Sequence, residues 1–273
     1  MFKKVAIIGG AGAMGVWFSK FFLANKIEVI ISDKNKVKAR KVARQLKVKV
    51  AKNNIETIKN ADLILISVLL QHFEEVVREI SRHVEKDQIV IDITSLKEIP
   101  VKIMHKYFKK NLILGTHPLF GPSAEDTKQN FVLTPTNNKE RAFAYKFKRW
   151  LAQRGFKVTI MSPRKHDEAM CLILGIPHFI GLVTGSFFST LKLKELIKVS
   201  GPSFQKLLNL AKSVIFSDPA FYSELHFNMP KIAKIEENFK RKMEYWLKII
   251  KNRDRKRFIN EMLKIKKILG KFK

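Results

Sequence analysis

The stretch Val5-Ala6-Ile7-Ile8-Gly9-Gly10-Ala11-Gly12-Ala13-Met14-Gly15 decides the fold. An apolar run leads straight into glycines spaced G-x-G-x-x-G, and the residues that follow read as a helix. In that strand-turn-helix setting each glycine has a mechanical task. Gly10 permits the tight turn, Gly12 lets backbone approach a pyrophosphate, and Gly15 lets the helix pack close to the strand. The helix N-terminus then offers N–H groups and a partial positive charge to phosphates. These residues predict a Rossmann-type dinucleotide-binding domain, with Gly10, Ala11, Gly12, Ala13, Met14 and Gly15 forming its phosphate loop.

Outward from this loop, short apolar runs alternate with helical patterns, the signature of a parallel sheet flanked by helices. Strands are predicted at 4–8, 28–32, 63–68, 88–93, 112–115, 131–134 and 157–161, and helices at 13–24, 36–45, 73–83, 97–108 and 140–154. Asp33 ends the second strand, where an acid grips ribose hydroxyls; its charge would repel a 2′-phosphate and so favour NAD. Lys34, Lys36 and Arg40 lie close enough in sequence to admit NADP instead. Ser67 and Val68, at the end of the 63–68 strand, complete the predicted cofactor-binding set. From Lys165 onward strand signals fade. Residues 166–190 are apolar enough for a buried helix, and further helices are predicted at 204–216, 218–227 and 231–251, with Pro219 where a first turn tolerates it. The expected architecture is α/β: a doubly wound parallel sheet over 1–161, then an all-helical substrate and dimerisation domain over 162–273. A homodimer through the C-terminal helices is expected.

Composition narrows the classes further. A chain of 273 residues that is 46% hydrophobic has enough apolar material for a packed interior. The start runs into the first strand without a signal-peptide cleavage pattern, and 166–190 is rich in glycine and polar residues for a membrane span, so a cytoplasmic protein without membrane contact is expected. Cys171 is the only cysteine, which excludes an internal disulfide and a multi-cysteine zinc site; no metal is expected. A formal charge of +29 would attract polyanions. The lysines are scattered, however, and no nucleic-acid-binding signature accompanies them, so specific nucleic-acid binding is not expected. Such a surface suits anionic metabolites and a phosphate-bearing cofactor.

Two later segments should emerge at the edge of the sheet where the glycine loop lies, because ligands bind beyond the carboxyl ends of parallel strands. They are Asp92-Ile93-Thr94-Ser95-Leu96-Lys97 and Gly115-Thr116-His117-Pro118-Leu119-Phe120-Gly121-Pro122. His117 sits between a strand end and a rigid turn, and a histidine there can take a proton near neutral pH, as alcohol oxidation demands.

Together with Ser162-Pro163-Arg164-Lys165-His166-Asp167 and Pro177-His178-Phe179, these segments resemble the prephenate dehydrogenases of tyrosine biosynthesis, in particular the shorter archaeal members. The resemblance covers nearly the whole chain. Its specific part is T-H-P-L-F-G-P with H-D; the glycine loop is shared with many reductases. It implies NAD(P)-dependent oxidative decarboxylation of prephenate to 4-hydroxyphenylpyruvate, with arogenate as the alternative small-molecule substrate. By the same resemblance His117 is the catalytic histidine that receives the proton of the substrate C4 hydroxyl, and Ser95 hydrogen-bonds near that hydroxyl. His166 and His178 would shape the substrate pocket. Bacterial members hold a substrate carboxylate with an arginine where Asn209 stands here, so Lys206 and Lys212 are the candidate cations for a group that is expensive to desolvate unpaired. Two other readings stay open. One is a β-hydroxyacid or pyrroline-carboxylate type reductase, a class that lacks the T-H-P-L-F-G-P run; the other is a nucleotide-binding regulator without catalysis.

Overall fold

The computed structural model describes residues 1–122 and 129–272. Eight strands form one sheet in the order β3-β2-β1-β4-β5-β6-β7-β8. They are β1 (Lys4–Ile8), β2 (Glu28–Ser32), β3 (Lys49–Val50), β4 (Leu63–Ile66), β5 (Ile89–Asp92), β6 (Leu112–Pro118), β7 (Asn130–Thr134) and β8 (Lys157–Ile160). The first six run parallel, with the sequence order reversing between β1 and β4. The sheet departs from the wholly parallel one expected: β7 is antiparallel to β6, placing His117 opposite Val132, and β8 is parallel to β7. Length accounts for the reversal, since residues 119–129 are too few for the dozen or so a parallel crossover needs.

Alternation along each strand feeds two cores. Val5 and Ile7 of β1 point into one, Ala6 and Ile8 into the other. The first core is closed by α1 (Ala13–Ala24), α2 (Lys36–Leu46) and α6 (Asn138–Ala152), and the second by α3 (Asn54–Ile58), α4 (Leu70–Ile80) and α5 (Glu98–Tyr107). Aromatic rings dominate the first, where Phe2, Phe21 and Phe147 each meet the Trp150 ring at centroid distances of 5.6–6.2 Å.

Beyond β8 the chain is helical: α7 (Pro163–Met170), α8 (Ile176–Phe188), α9 (Leu193–Lys198), α10 (Pro202–Ile215), α11 (Pro219–Asn228), α12 (Ile232–Lys251) and α13 (Arg255–Leu269). A π-helical turn, Cys171–Gly175, joins α7 to α8. Pro177 explains its place, because a proline cannot donate to the carbonyl four residues back and the ladder must widen around it. The chain divides into two compact units, 1–170 with 218–229 and 171–217 with 230–273. The division between these compact units falls inside the long helix, for α7 buries His166, Asp167 and Met170 in the first unit. The helix expected to be buried is only partly so. Gly181 and Phe188 of α8 are buried, while Leu172, Ile173, Leu182, Val183 and Phe187 are exposed. By length and composition alone Pro163–Phe188 is long and apolar enough to cross a membrane, and its first two turns carry Arg164, Lys165, His166, Asp167 and Glu168.

Candidate active site

The glycine loop follows β1 as expected, but the task given to Gly10 belongs to its neighbour. Gly9 adopts φ +81°, and a Cβ there would lie 2.1 Å from the Ser67 carbonyl oxygen. Gly10 is instead a packing position: its Cβ would meet the Ile31 side chain at 2.6 Å. Gly15 has the predicted role, since a Cβ would stand 2.4 Å from the Gly9 oxygen. Gly12 caps α1 with no side-chain hydrogen bond and no acidic residue follows in the first turn, so the positive end of this helix is left to an anion. Asp33 braces the loop by accepting the Ala11 N–H at 3.1 Å and the Asn35 N–H at 3.0 Å. Ser67 and Val68 flank the same turn, the Ser67 N–H donating to the Ile8 carbonyl at 2.8 Å. This cradle fits a dinucleotide: it offers close backbone approach, an uncapped helix end and a carboxylate beside the loop. Lys34 Nζ lies 3.3 Å from His72 Nε2, on the flank of this region.

Further along the same edge, after β4 and β5, lies His117 at the end of β6, about three strand spacings or ~14 Å from the glycine loop's strand. The ring is 5% exposed. Its Nδ1 is 2.9 Å from Nε2 of His166, and His166 Nδ1 is 2.7 Å from Asp167 Oδ1. The proton positions follow from the far end. Asp167 is committed as an acceptor, holding the N–H groups of Lys97 at 2.7 Å and Glu98 at 2.9 Å at the start of α5. His166 therefore carries its proton on Nδ1 and accepts at Nε2, so His117 must donate from Nδ1. Neutral His117 is left with an unprotonated Nε2, the form a general base needs. Burial pushes His117 well below the ordinary value of 6.5, helped by the nearby His166 and then Lys97. His166 is also lowered, by burial above all, with the Asp167 hydrogen bond opposing.

Ser95 lies half-buried in the turn after β5, at the same edge as His117. That turn is held by Asp92, whose Oδ2 accepts the Thr94 N–H at 3.0 Å and whose backbone carbonyl accepts the Thr116 hydroxyl at 2.6 Å. Sequence reasoning gave no role to Asp92, Thr94, Lys97 or Thr116, and none to Asp167 beyond the H-D pair. The spacing D-x-T-x-x-K and the H-D pair were the available signals. His178, Lys206 and Lys212 belong to the second unit, His178 half-buried on α8 and both lysines exposed on α10. The lysines are six residues apart, about 240° around the helix, so they do not share a face as one clamp.

A glycine-loop domain with a buried His-His-Asp chain at its ligand edge, followed by a helical unit, defines a two-part nucleotide-binding protein of the dehydrogenase type. The chain belongs to the prephenate dehydrogenase family: residues 23–160 match the model described as prephenate dehydrogenase, nucleotide-binding domain, and residues 162–264 the one described as prephenate dehydrogenase, dimerization domain. A probable arogenate/prephenate dehydrogenase of Methanocaldococcus jannaschii is 31% identical over 97% of this chain, which spans 61% of that relative's length. Among solved structures, a prephenate dehydrogenase from A. aeolicus, in complex with hydroxyphenyl propionate and NAD+, superposes with a TM-score of 0.78 at 20% identity, covering 100% of this chain and 99% of the other. Synechocystis arogenate dehydrogenase gives 0.75 at 16% identity, covering 99% and 100%.

Proposed function

We propose that this protein catalyses the NAD-dependent oxidative decarboxylation of prephenate, or of arogenate, in tyrosine biosynthesis, working as a cytoplasmic homodimer. The observation that carries the reading is the buried His117–His166–Asp167 hydrogen-bond chain at the sheet edge shared with the glycine loop. A bound nicotinamide supplies the hydride acceptor. His117 Nε2 receives the proton of the C4 hydroxyl as hydride leaves C4, and the Ser95 hydroxyl donates to the oxygen that becomes ketone-like. Loss of the ring carboxylate as carbon dioxide returns its bonding pair to the ring, which becomes aromatic. The protein's task is chiefly orientation and stabilisation of developing charge. Asp33 beside the loop favours NAD over NADP, and the NAD+ complex of the A. aeolicus relative supports NAD as a cofactor. His166 holds His117 through its ring nitrogen. The family's dimerization-domain match and the exposed apolar face of α8 support a dimer.

The test is an absorbance assay of nicotinamide reduction with prephenate and with arogenate, each paired with NAD and with NADP. Turnover is expected with at least one substrate, and His117→Asn should lower it about a hundredfold or more while cofactor affinity is kept. No reduction with any pairing, or full turnover in the variant, overturns the reading.

A further inference from the structure

Beneath His117 lies a second buried assembly that the proton chain does not explain. Lys97 and Asp92 form an ion pair in which both side chains are fully buried. The Lys97 ammonium also donates to the Thr116 carbonyl at 2.6 Å, one residue before His117. Its backbone N–H goes the other way, to Asp167 at 2.7 Å, and Asp167 holds His166. Asp92 closes the loop by accepting the Thr94 N–H beside Ser95 and the Thr116 N–H at 3.3 Å. Gly115 makes room for this: a Cβ there would meet the Thr134 hydroxyl at 2.4 Å and sit 3.4 Å from the Lys97 Cδ. One residue thus grips both supports of the His117 ring, the strand that carries it and the carboxylate that orients it.

Stability is a poor reason for such a pair. Two desolvated charges commonly return little or nothing relative to well-packed apolar side chains. We propose that Lys97, paired with Asp92, is a positioning residue for His117, holding the β6 strand end through Thr116 and keeping a fixed positive charge beneath the imidazole so that His117 stays a free base. This rests on the reading of His117 as the general base. Among the described residues, the charged and titratable groups around that ring are His166 and Asp167 from α7, Lys97 and Glu98 from the start of α5, and Asp92 from β5; β7 contributes the apolar Val132 opposite. Burial is the main cause of the lowered proton affinity of both histidines, and Lys97 adds to it at each. The ammonium's own pKa is pushed down by burial, with the Asp92 charge and hydrogen bond opposing.

Two variants test this, because Lys97→Met strands a buried carboxylate and can simply fail to fold. The second, Asp92→Asn with Lys97→Gln, removes both charges and leaves amides to serve Thr94 and Thr116. Two readouts are needed. The first is kcat/KM against pH, expected to show a kcat about tenfold or more below wild type with the acidic limb moved to higher pH and cofactor affinity unchanged. The second is the titration of His117 followed by NMR of histidine-labelled protein, assigned with His117→Asn. It requires no substrate, so it stands even if the wild type turns over neither prephenate nor arogenate. A His117 midpoint that rises in the folded double variant supports the proposal. An unchanged midpoint with unchanged kcat, a lower kcat with neither pH readout moved, or failure of both variants to fold would mark the pair as scaffolding and overturn it.

Discussion

At position 117 the useful species is a neutral imidazole, and burial enforces it at a cost that pH reveals. A base acts only while unprotonated, and His117 is held well below 6.5, so the acidic limb of kcat/KM should lie below the ordinary histidine range. The same fact bears on folding. The unfolded chain protonates these imidazoles near 6.5 while the folded one resists, so the unfolded state binds more protons as pH falls from 6.5 toward the depressed folded values. The two histidines therefore contribute stability above that window and lose it within it. Tm is expected to fall as pH is lowered through this range, and a less steep fall in His117→Asn would tie the effect to the site. Asp167 has two duties that one substitution separates. Asp167→Ala leaves the Lys97 and Glu98 N–H groups uncapped, which should cost about 0.5–2 kcal/mol by analogy with other helix caps. It also frees His166 to take the other tautomer, so that His117 would present a protonated Nε2. Loss of tautomer control in a serine protease triad costs about 10⁴-fold in kcat, and a fall of at least about a hundredfold is expected here with cofactor affinity intact. Loss of stability without loss of turnover would leave Asp167 as a cap alone.

Among the elements, the join of β1 to α1 is the most constrained, and it shows where sequence reading succeeds. Gly15 touches backbone, the Gly9 oxygen and the Gly10 Cα, neither of which can swing aside as a side chain would. Gly15→Ala should therefore lower stability by about 1–3 kcal/mol and weaken cofactor binding, both readable by thermal melts with and without NAD. A protein unaffected in both would show that the helix can slide. The glycine spacing disclosed this join because the geometry is local, and α1 runs over Ala13–Ala24 as the residues predict. β2 and the first half of β6 were legible for the same reason, as apolar runs; β6 continues to Pro118, past the predicted end at 115, where it pairs with β7. β3 was not: it is two residues long, Lys49–Val50, both exposed, and only pairing with Ile30 and Ile31 makes it a strand. Nor was α3, a five-residue helix capped by Asn53. At the site the same division holds. His117 stood out by its position after a strand, whereas Lys97, though inside a segment expected at the ligand edge, had no role until folding brought Asp92, Thr116 and Asp167 around it. The apolar 166–190 stretch gave a helix but not its π turn or its half-exposed state, because both depend on what packs against it.

For the molecule as a whole, charge and apolar exposure make separate predictions. With a formal charge of +29, the protein's field should draw in an anionic substrate, and salt screens such attraction over a Debye length of about 10 Å at 0.1 M. kcat/KM should accordingly fall as ionic strength rises while kcat changes little; equal falls in both would point to a salt effect on the folded state instead. The second unit raises the larger question. On the α8 side, Leu172 is 59% exposed and Phe187 60%, a degree of apolar exposure that scattered surface residues do not explain. A stable dimer needs to bury about 800 Å² on each partner, and an apolar helix face opposed to its own copy across a two-fold axis is one way to reach it. Val183 and Phe187 are four residues apart and so lie on one side of α8, both exposed. Val183→Glu with Phe187→Glu would set four carboxylates facing one another across such an axis, with no cation supplied by α8 itself. Light scattering should then report a monomer where the wild type is a dimer. NAD affinity should survive, because the glycine loop is built wholly within the first unit. A variant that stays dimeric would move the interface to another face of the helical unit, and a wild type that is monomeric at micromolar concentration would remove the dimer altogether.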